Sequence, residues 1–423
     1  MDAIDLSQVT AGQELAEAHD AINRYCDGQH RFGFNPARPA VRLHEPTFGA
    51  KEIIAALDCM LSTRVTHGDK VRAFEAAFRE QGGFGHAVAC NSGSSANLLA
   101  IAALVSENRL KSGDEVIVSA LSWSTTVWPL IQHGLIPVLV DCDKDTLNID
   151  PKEVEKAIGL KTKAIMPVHV FGNPCDMEAL CGLCLDYNLI LIEDCCEALG
   201  ATYGGKPVGT FGDVGTFSFY FSHHVTTMEG GIVVTSDRSL DEVLRIQRAH
   251  GWIRDVEDKA KYIEAFPGFD PKFLFVDTGY NLRLTEPQAA MGAIQVGKLP
   301  GIVETRRRNH EAYVKALGGH EAFRIQSHDV GSSVFGFNIV LQGLPRVALV
   351  KHLAEANIET RPIICGNIAV QPGLRRHAHR VVGDLKNATD VLHNGLSMGC
   401  HQFVDDNAIA YVAETIEAFV CGR

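Results

Sequence analysis

Four short runs of branched apolar residues recur between residues 114 and 196, and they constrain the fold more than any other feature. The runs are DEVIVSA (114–120), IPVLVDC (136–142), KAIMPVHV (163–170) and LILIEDCC (189–196). Helix-like segments separate them, at residues 125–132, 151–158 and 176–187. Apolar runs spaced by helices are typical of parallel strands that are covered on both faces. We therefore predict an α/β fold with a mostly parallel sheet.

The pattern also predicts how the 423 residues divide. Two closely spaced strands at 215–221 and 231–236, which can pair antiparallel, extend the first unit to about residue 295. A strand at 335–341 and helices at 346–357 and 407–419 then predict a smaller α/β domain. We expect an N-terminal arm with one helix at 12–26 (residues 1–45), a large domain (46–295) and a small C-terminal domain (296–423).

Charge and hydropathy exclude several classes of protein. The net charge is -12, whereas nucleic-acid binders are usually basic. No run of about 18 apolar residues occurs, and the acidic N-terminus lacks the basic start and apolar core of a secretion signal. We expect a cytoplasmic protein that binds neither nucleic acid nor membrane. Three successive arginines at 306–308 lie on a predicted helix, where we expect a solvated face.

The twelve cysteines are scattered and several fall in apolar runs, which predicts reduced and mostly buried thiols. Cys181 and Cys184 have CxxC spacing and follow Cys175. They lie in a segment with the pattern of an amphipathic helix, and no second pair of cysteines or histidines accompanies them. A packed helix face is the favoured interpretation, and a metal site is the alternative.

The stretch NSGSSANLLAIAAL (91–104) is the first of four motifs that can carry chemistry. Small polar residues precede an apolar helix, so free N–H groups, hydroxyls and the helix dipole can hold an anion at Gly93, Ser94 and Ser95. The alternative is an ordinary capped helix start. The residues alone do not decide between the two.

The other three motifs follow predicted strands. In LIEDCCEALG (191–200), Asp194 and Glu197 lie at the carboxyl end of a strand, where open α/β sheets bind ligands. A buried carboxylate there needs a partner such as a protonated ring nitrogen, although both residues can equally be acids at a helix start. Trp123 follows another strand and can either stack on a flat cofactor or pack in the core. Ser218 and His223 lie in FSFYFSHHVTTMEGG (217–231).

The order and spacing of these motifs resemble the aspartate-aminotransferase-like fold (fold type I), and more narrowly the DegT/DnrJ/StrS family of pyridoxal-phosphate sugar aminotransferases. The resemblance runs from about Leu43 to the C-terminus. It is carried by GDEVIVSALSWSTT, PVHVFGNPCDM, IEDCCEALGATYGGKPVGTFGDVGTFSFYFSHH, EGGIVVT and GYNLRLTEPQAAMGAIQ. The family implies pyridoxal 5'-phosphate as cofactor and a homodimer with shared active sites.

The resemblance also implies residue roles. Asp194 would pair with the pyridine nitrogen and keep it protonated, Trp123 would stack on the ring, and Glu197 would lie near the ring, at its 3-hydroxyl. Asn281 would reach the cofactor phosphate of a neighbouring subunit. The residues that would hold the phosphate within one chain are Gly93, Ser94, Ser95 and Ser218.

One position departs from the family pattern. His223 stands where the family carries the lysine that attaches the cofactor, and no lysine occurs between Lys206 and Lys259. Imidazole cannot form that linkage, so pyridoxamine 5'-phosphate can persist as the working form. Histidine accepts and donates a proton near neutral pH, which suits removal of a proton followed by loss of a hydroxyl group. His223 is therefore the predicted catalytic residue, and we expect the adjacent His224 to support it.

This histidine is similar to that of the sugar 3-dehydratases of the family. In one branch an iron–sulfur cluster is bound by cysteines after the active-site loop, but here no cysteine lies between Cys196 and Cys365. The chain resembles the other branch, which removes the C3 hydroxyl of GDP-4-keto-6-deoxy-D-mannose in deoxysugar biosynthesis for the lipopolysaccharide O-antigen, uses L-glutamate and needs no cluster. That resemblance implies that His250 and Arg254, and more weakly Arg361, contact the nucleotide sugar or glutamate.

Two alternatives remain open at this stage. One is a sugar aminotransferase that has lost its lysine and still transfers an amine. The other is a non-catalytic family member that binds a nucleotide sugar. Neither the nucleotide nor the role of the N-terminal arm is readable from the sequence, because base-contacting loops vary within such folds.

Overall fold

The computed structural model describes the backbone of residues 6–422 and the side chains of residues 12–422. The described chain contains thirteen α-helices: Leu6–Gln29 (α1), Ala50–Leu61 (α2), Asp69–Gly82 (α3), Gly93–Ser106 (α4), Ser124–Gln132 (α5), Pro151–Ala157 (α6), Met177–Tyr187 (α7), Arg238–Arg248 (α8), Ala260–Ala265 (α9), Glu286–Leu317 (α10), Arg346–Glu355 (α11), Lys386–Asn394 (α12) and Asp406–Cys421 (α13). None of these helices is both long enough and apolar enough to cross a bilayer.

Fourteen strands complete the described elements: His86–Cys90 (β1), Glu115–Ser119 (β2), Ile136–Val140 (β3), Thr162–Met166 (β4), Ile190–Asp194 (β5), Thr202–Tyr203 (β6), Lys206–Pro207 (β7), Val214–Ser218 (β8), Gly231–Thr235 (β9), Phe323–Ile325 (β10), Phe337–Leu341 (β11), Thr360–Arg361 (β12), Arg380–Val381 (β13) and Gly395–Met398 (β14). Eight of them form one sheet in the order β1-β9-β8-β5-β4-β2-β3-β13. Its pairs are parallel from β8 to β13, while β9 pairs antiparallel with β8 and β1. The predicted α/β class and mostly parallel sheet are confirmed.

Alternate residues of β2 show why the middle of the strand, residues 116–118, is apolar throughout. Val116 and Val118 pack in one buried cluster with residues of α4, whereas Ile117 packs on the opposite face in a cluster that includes Val154 of α6. Both faces of the strand are therefore covered, and polar alternation would bury unpaired polar groups. Burial of such a side chain contributes roughly 1.5–3 kcal/mol.

The C-terminal part of the chain forms a second sheet, in the order β10-β11-β14-β12. Helix α10 runs without a break through residue 295, and β13 pairs with β3 of the large sheet. The division into an arm, a large domain and a small domain therefore stays a prediction. The arm helix α1 extends beyond the predicted 12–26, and His19 binds Asp58 of α2 at 2.8 Å.

The structure bears on two further interpretations of the sequence, the CxxC segment and the three successive arginines. Cys181 and Cys184 lie on α7, where Cys184 is buried against the core, as expected of a packed helix face. The prediction that the three arginines form a solvated face is wrong for Arg306, which is only 2% exposed. Residues 302, 303, 306, 309, 310 and 313 are all buried, so the helical repeat turns position 306 inward while Arg308 stays outside.

Candidate active site

A cavity of about 630 Å³ lies where β2, β5 and β8 end. Its walls include eight residues that the sequence predicts for the site: Gly93, Ser94, Trp123, Asp194, Glu197, Ser218, His223 and Arg361. They come from distant parts of the chain, and the sheet brings them together. Among the residues that line the cavity there is no lysine.

The start of α4 forms one end of the cavity. Ser92 caps the helix, since its hydroxyl oxygen accepts the Ser95 N–H at 3.0 Å. A Cβ atom at Gly93 would lie 2.4 Å from the Ser218 Cβ, so only glycine allows β8 to approach this helix start. The Ser218 hydroxyl and the free N–H groups of the first turn thus converge on one place, as in an anion site. Ser95 is bonded to Ser92 through both its N–H and its hydroxyl and does not line the cavity.

The Asp194 carboxylate is oriented by three hydrogen bonds. Its Oδ2 accepts from Asn97 Nδ2 at 2.9 Å and from the Thr126 hydroxyl at 2.8 Å, and its Oδ1 accepts from the Cys196 N–H at 3.2 Å. The Thr216 hydroxyl in turn donates to Asn97 Oδ1 at 2.6 Å. Sequence reasoning missed Asn97 and Thr126. Their signal is weak, since each lies among other small polar residues at the start of its helix.

His223 lies in the cavity wall, and its buried Nδ1 makes no hydrogen bond. Its ring contacts Phe335 and Tyr220 at centroid distances of 5.1 and 6.0 Å. Burial, followed by the charges of Arg361, Arg306 and His44, lowers the pKa of His223 to about 3. The imidazole is therefore neutral at physiological pH, but in the unliganded chain it is a weaker base than the free side chain that the sequence argument assumes.

His224 has a different environment. Its side chain is fully buried, its Nε2 donates to the Ser333 carbonyl at 3.0 Å, and its ring packs 5.6 Å from that of Phe335. Burial keeps the pKa of His224 well below its usual value. The residue does not line the cavity, so it packs the loop that carries His223.

Glu197 and Arg361 lie beside each other in the cavity wall. The Glu197 carboxylate accepts the Phe171 N–H at 2.9 Å and lies 3.8 Å from an Arg361 nitrogen. Burial raises the pKa of Glu197, although Arg361 opposes that shift. The Arg361 guanidinium also lies over the rings of Phe171 and Phe335, at 5.1 and 5.5 Å from their centroids. Arg361 is 37% exposed and so is free to meet an anionic ligand.

Trp123 precedes α5 and presents its ring to the cavity. The side chain is 56% exposed, which excludes the alternative that it packs in the core. An exposed indole at a cavity wall can stack on a flat ring.

Besides Ser95, three predicted residues lie outside this cavity. Asn281 is exposed and its Oδ1 accepts hydrogen bonds from Arg283. His250 is exposed with a positive φ of 68°, and Arg254 lies 5.2 Å over the Trp252 ring. Within one chain, these residues do not meet the others.

A family model matches residues 46–417, and its description is the DegT/DnrJ/EryC1/StrS aminotransferase family. The chain belongs to this family. The match spans the large sheet, the cavity and most of the C-terminal part. The family and fold predictions are both confirmed.

Relatives within the family narrow the comparison. The chain is 41% identical to GDP-4-keto-6-deoxy-D-mannose 3-dehydratase of Yersinia pseudotuberculosis, over 85% of this chain and 94% of that one. It is 34% identical to dTDP-4-dehydro-2,6-dideoxy-D-glucose 3-dehydratase of Saccharopolyspora spinosa, over 97% and 94% of the two chains. A solved structure of GDP-4-keto-6-deoxymannose-3-dehydratase with a trapped PLP–glutamate geminal diamine matches with a TM-score of 0.83 and 38% identity, over 89% of this chain and 99% of that one.

Proposed function

We propose that the chain is a pyridoxamine-phosphate-dependent 3-dehydratase that removes the C3 hydroxyl of a nucleotide-linked 4-keto-6-deoxyhexose, with L-glutamate regenerating the cofactor. One observation carries this proposal. The neutral imidazole of His223, whose Nδ1 has no hydrogen-bond partner, lines a cavity whose lining contains no lysine. The names of the two relatives and of the solved structure support it.

The cavity fits pyridoxamine 5'-phosphate. Gly93, Ser94 and Ser218 form a cradle for the phosphate, in which a Cβ at Gly93 would clash. The oriented Asp194 carboxylate suits a protonated ring nitrogen, and Trp123 offers a face for stacking. Glu197, whose pKa is raised by burial, lines the same cavity and would meet the ring hydroxyl.

When bound, the cofactor supplies an amine for the sugar's keto carbon and a ring that takes up an electron pair. The protein's own task is then proton transfer and orientation. His223 takes a proton at a ring nitrogen and returns it to the departing C3 hydroxyl group. Asp194, held by Asn97 and Thr126, would accept a hydrogen bond from the ring nitrogen and so keep that nitrogen protonated.

The overall reaction balances without added oxidant or reductant. The C3–O bond of the sugar breaks and a C3–H bond forms, which reduces the sugar by two electrons. Glutamate supplies those electrons as it becomes 2-oxoglutarate, and ammonia is released. The oxygen lost from C3 is balanced by the oxygen of 2-oxoglutarate.

The identity of the nucleotide on the sugar is a separate proposal. We propose a GDP sugar, since the relative at 41% identity is named for one, whereas the relative at 34% is named for a dTDP sugar. Arg361, exposed in the cavity beside Glu197, is the proposed contact to substrate within the chain.

We also propose a homodimer with shared sites. Asn281, His250 and Arg254 are exposed and lie outside the cavity of their own chain, so a second copy is needed to bring them to a site. Asn281 would then contact the cofactor phosphate, while His250 and Arg254 would contact glutamate or the sugar. A guanidinium suits a carboxylate because it donates two parallel hydrogen bonds.

The test uses purified protein, pyridoxal phosphate, GDP-4-keto-6-deoxymannose and glutamate, with 2-oxoglutarate and ammonia both quantified. A 3-dehydratase releases the two in equal amounts. An aminotransferase releases 2-oxoglutarate without ammonia, and a non-catalytic binder releases neither. A repeat with the dTDP sugar separates a wrong nucleotide from a wrong reaction.

A further inference from the structure

Arg306 of α10 is a buried cation without a buried anion. It is 2% exposed, and its Nη1 donates only to the carbonyl oxygens of Phe335 at 3.0 Å and Val334 at 3.4 Å. Its Nε has no partner, and among the described residues the titratable group beside it is the Cys400 thiol rather than a carboxylate. Arg248 is equally buried but bonds Glu75 at 2.7 Å, as a buried charge normally requires. Burying an unpaired charge costs folding free energy, and residues with strongly perturbed charges cluster at functional sites.

The ring of Phe335 connects Arg306 to the site. The guanidinium carbon of Arg306 lies 6.0 Å from the Phe335 centroid, and the His223 ring lies 5.1 Å from the same centroid. Phe335 itself lines the cavity. An apolar ring between a cation and an imidazole screens their interaction much less than water does.

The charged groups that face His223 are all basic. They are Arg361 of β12, Arg306 of α10 and His44 of the N-terminal segment, while His224 adjoins it on the same loop. Arg361 lies 3.8 Å from the Glu197 carboxylate and is exposed to any anion that enters the cavity, so its charge is compensated when substrate binds. Arg306 is only 2% exposed and does not line the cavity. Its charge therefore acts on His223 throughout the reaction.

We propose that Arg306 is a positioning residue for the reaction: through Phe335 it fixes the His223 ring, and its uncompensated charge holds that imidazole unprotonated until substrate enters. The catalytic part of this role rests on the proposed function of His223. The electrostatic part does not, because it is a property of the unliganded chain.

The test compares four variants. Arg306→Gln removes the charge but keeps a donor for the Phe335 carbonyl, Arg306→Met removes both, and Arg306→Lys keeps the charge. Arg307→Met is the matched control, because Arg307 also ties α10 to the same loop, through the Ser332 carbonyl at 3.0 Å. Arg307 lies outside the cavity and is not among the groups that shift His223.

The first measurement is the imidazole nitrogen chemical shift of His223 in ¹⁵N-histidine protein without ligands, assigned with His223→Asn. Loss of a nearby charge should raise the pKa of His223 by about one, and the protonated fraction at pH 5 then rises about tenfold. We expect this rise in Arg306→Gln and Arg306→Met, and no rise in Arg306→Lys or Arg307→Met. If Arg306→Gln does not fold, Arg306→Met, which leaves no unpaired polar atom, carries the test.

The second measurement is the pH profile of turnover by the cofactor-loaded enzyme. In Arg306→Gln the acid limb should move to higher pH, and Arg306→Lys should restore it. A purely structural tether would lower thermal stability in Arg306→Gln and Arg307→Met alike and leave His223 unchanged in both, which overturns the proposal. If the protein turns over no sugar, the nitrogen shifts still decide the electrostatic claim.

Discussion

At the scale of single residues, the two adjacent histidines lie in different surroundings, and the roles proposed for them differ accordingly. His223 lines the cavity and has no hydrogen bond through Nδ1, whereas His224 is fully buried and bonded to the Ser333 carbonyl. A sequence shows two equal histidines, and the choice of His223 came from its match to the family's lysine position. The structure adds the physical reason, which is access to the cavity.

Substitution should separate the two histidines. We expect His223→Asn to fold normally and to lower the rate of C3 deoxygenation about 10²–10⁴-fold, since it removes the proton carrier. His224→Asn should instead lower the free energy of unfolding by about 1–3 kcal/mol, because a buried bonded side chain is lost. Chemical denaturation and turnover of both variants check this. A His224→Asn protein that is stable but as inactive as His223→Asn contradicts the assignment.

The candidate site shows what residue patterns can and cannot predict. Asp194, Ser218 and Gly93 were predicted because they follow strands or start a helix, and such positions are visible in sequence. Asn97 and Thr126, which orient Asp194, were missed, because their role depends on how α4 and α5 pack beside β5. Arg306 was misassigned, because a cluster of arginines is normally solvated and only the packing of α10 turns one of them inward.

At the scale of elements, the close approach of α4 to β8 builds the proposed phosphate site. A Cβ at Gly93 would meet the Ser218 Cβ at 2.4 Å, and one at Gly231 of β9 would meet the Ser92 carbonyl oxygen at 2.2 Å. Two glycines in different elements thus let the helix start lie against the sheet. The strands that were predicted lie within a few residues of the observed ones, because hydrophobic runs determine them locally, whereas β1, α3 and α8 were not predicted.

A glycine pair tests this element-level account. Gly93→Ala should weaken pyridoxal phosphate binding by at least about tenfold, equivalent to about 1.4 kcal/mol, since the added methyl group displaces Ser218. The control is Gly182→Ala, in α7, where a Cβ meets nothing within 4 Å. That change should raise the free energy of unfolding by about 0.5–1 kcal/mol and leave cofactor affinity unchanged. Cofactor titration and denaturation measure both; unchanged affinity in Gly93→Ala refutes the cradle.

At the scale of the whole molecule, several histidines are buried in the neutral form. Burial lowers the pKa of His310 to about 4 and, with neighbouring positive groups, the pKa values of His401 and His328 to about 3. An unfolded chain binds protons at these residues below about pH 6.5, and the folded chain does not. Stability is therefore lost as the pH falls from about 6.5 toward the folded values.

This linkage predicts an acid-sensitive fold. Each such histidine should lower the free energy of unfolding by about 1.4 kcal/mol per pH unit below 6.5. Urea denaturation at pH 7.5, 6 and 5 measures the slope, and His310→Gln, which cannot titrate, should reduce it. A free energy of unfolding that is constant over this range, or that rises toward pH 5, contradicts the account.

If the active sites are shared between two chains, two inactive variants should complement each other. His223→Asn and Arg254→Ala chains should each be nearly inactive alone. Mixed dimers should regain activity, because one of their two sites then combines an intact His223 with an intact Arg254 from the other chain. Activity after mixing and subunit exchange measures this, and size determination by light scattering gives the assembly. No recovery, in chains that do exchange, places both residues in one site or Arg254 in none.

The division of the chain into domains leaves a weaker signal in the sequence than its strands and helices do. The predicted boundary at residue 295 falls inside α10, because a helix that packs on both parts of the chain has no turn signal between them. Likewise β13, two residues long, joins the large sheet from the C-terminal part. Elements this short leave no periodicity to detect.

The most direct test of the central claim is the mass of the sugar itself. The purified protein is incubated with pyridoxamine phosphate, glutamate and GDP-4-keto-6-deoxymannose in deuterated water, and the nucleotide sugar is analysed by mass spectrometry. The account predicts a sugar that has lost one oxygen atom and gained deuterium from solvent, and no such product with His223→Asn. A sugar that keeps its C3 oxygen and gains an amine nitrogen would contradict it.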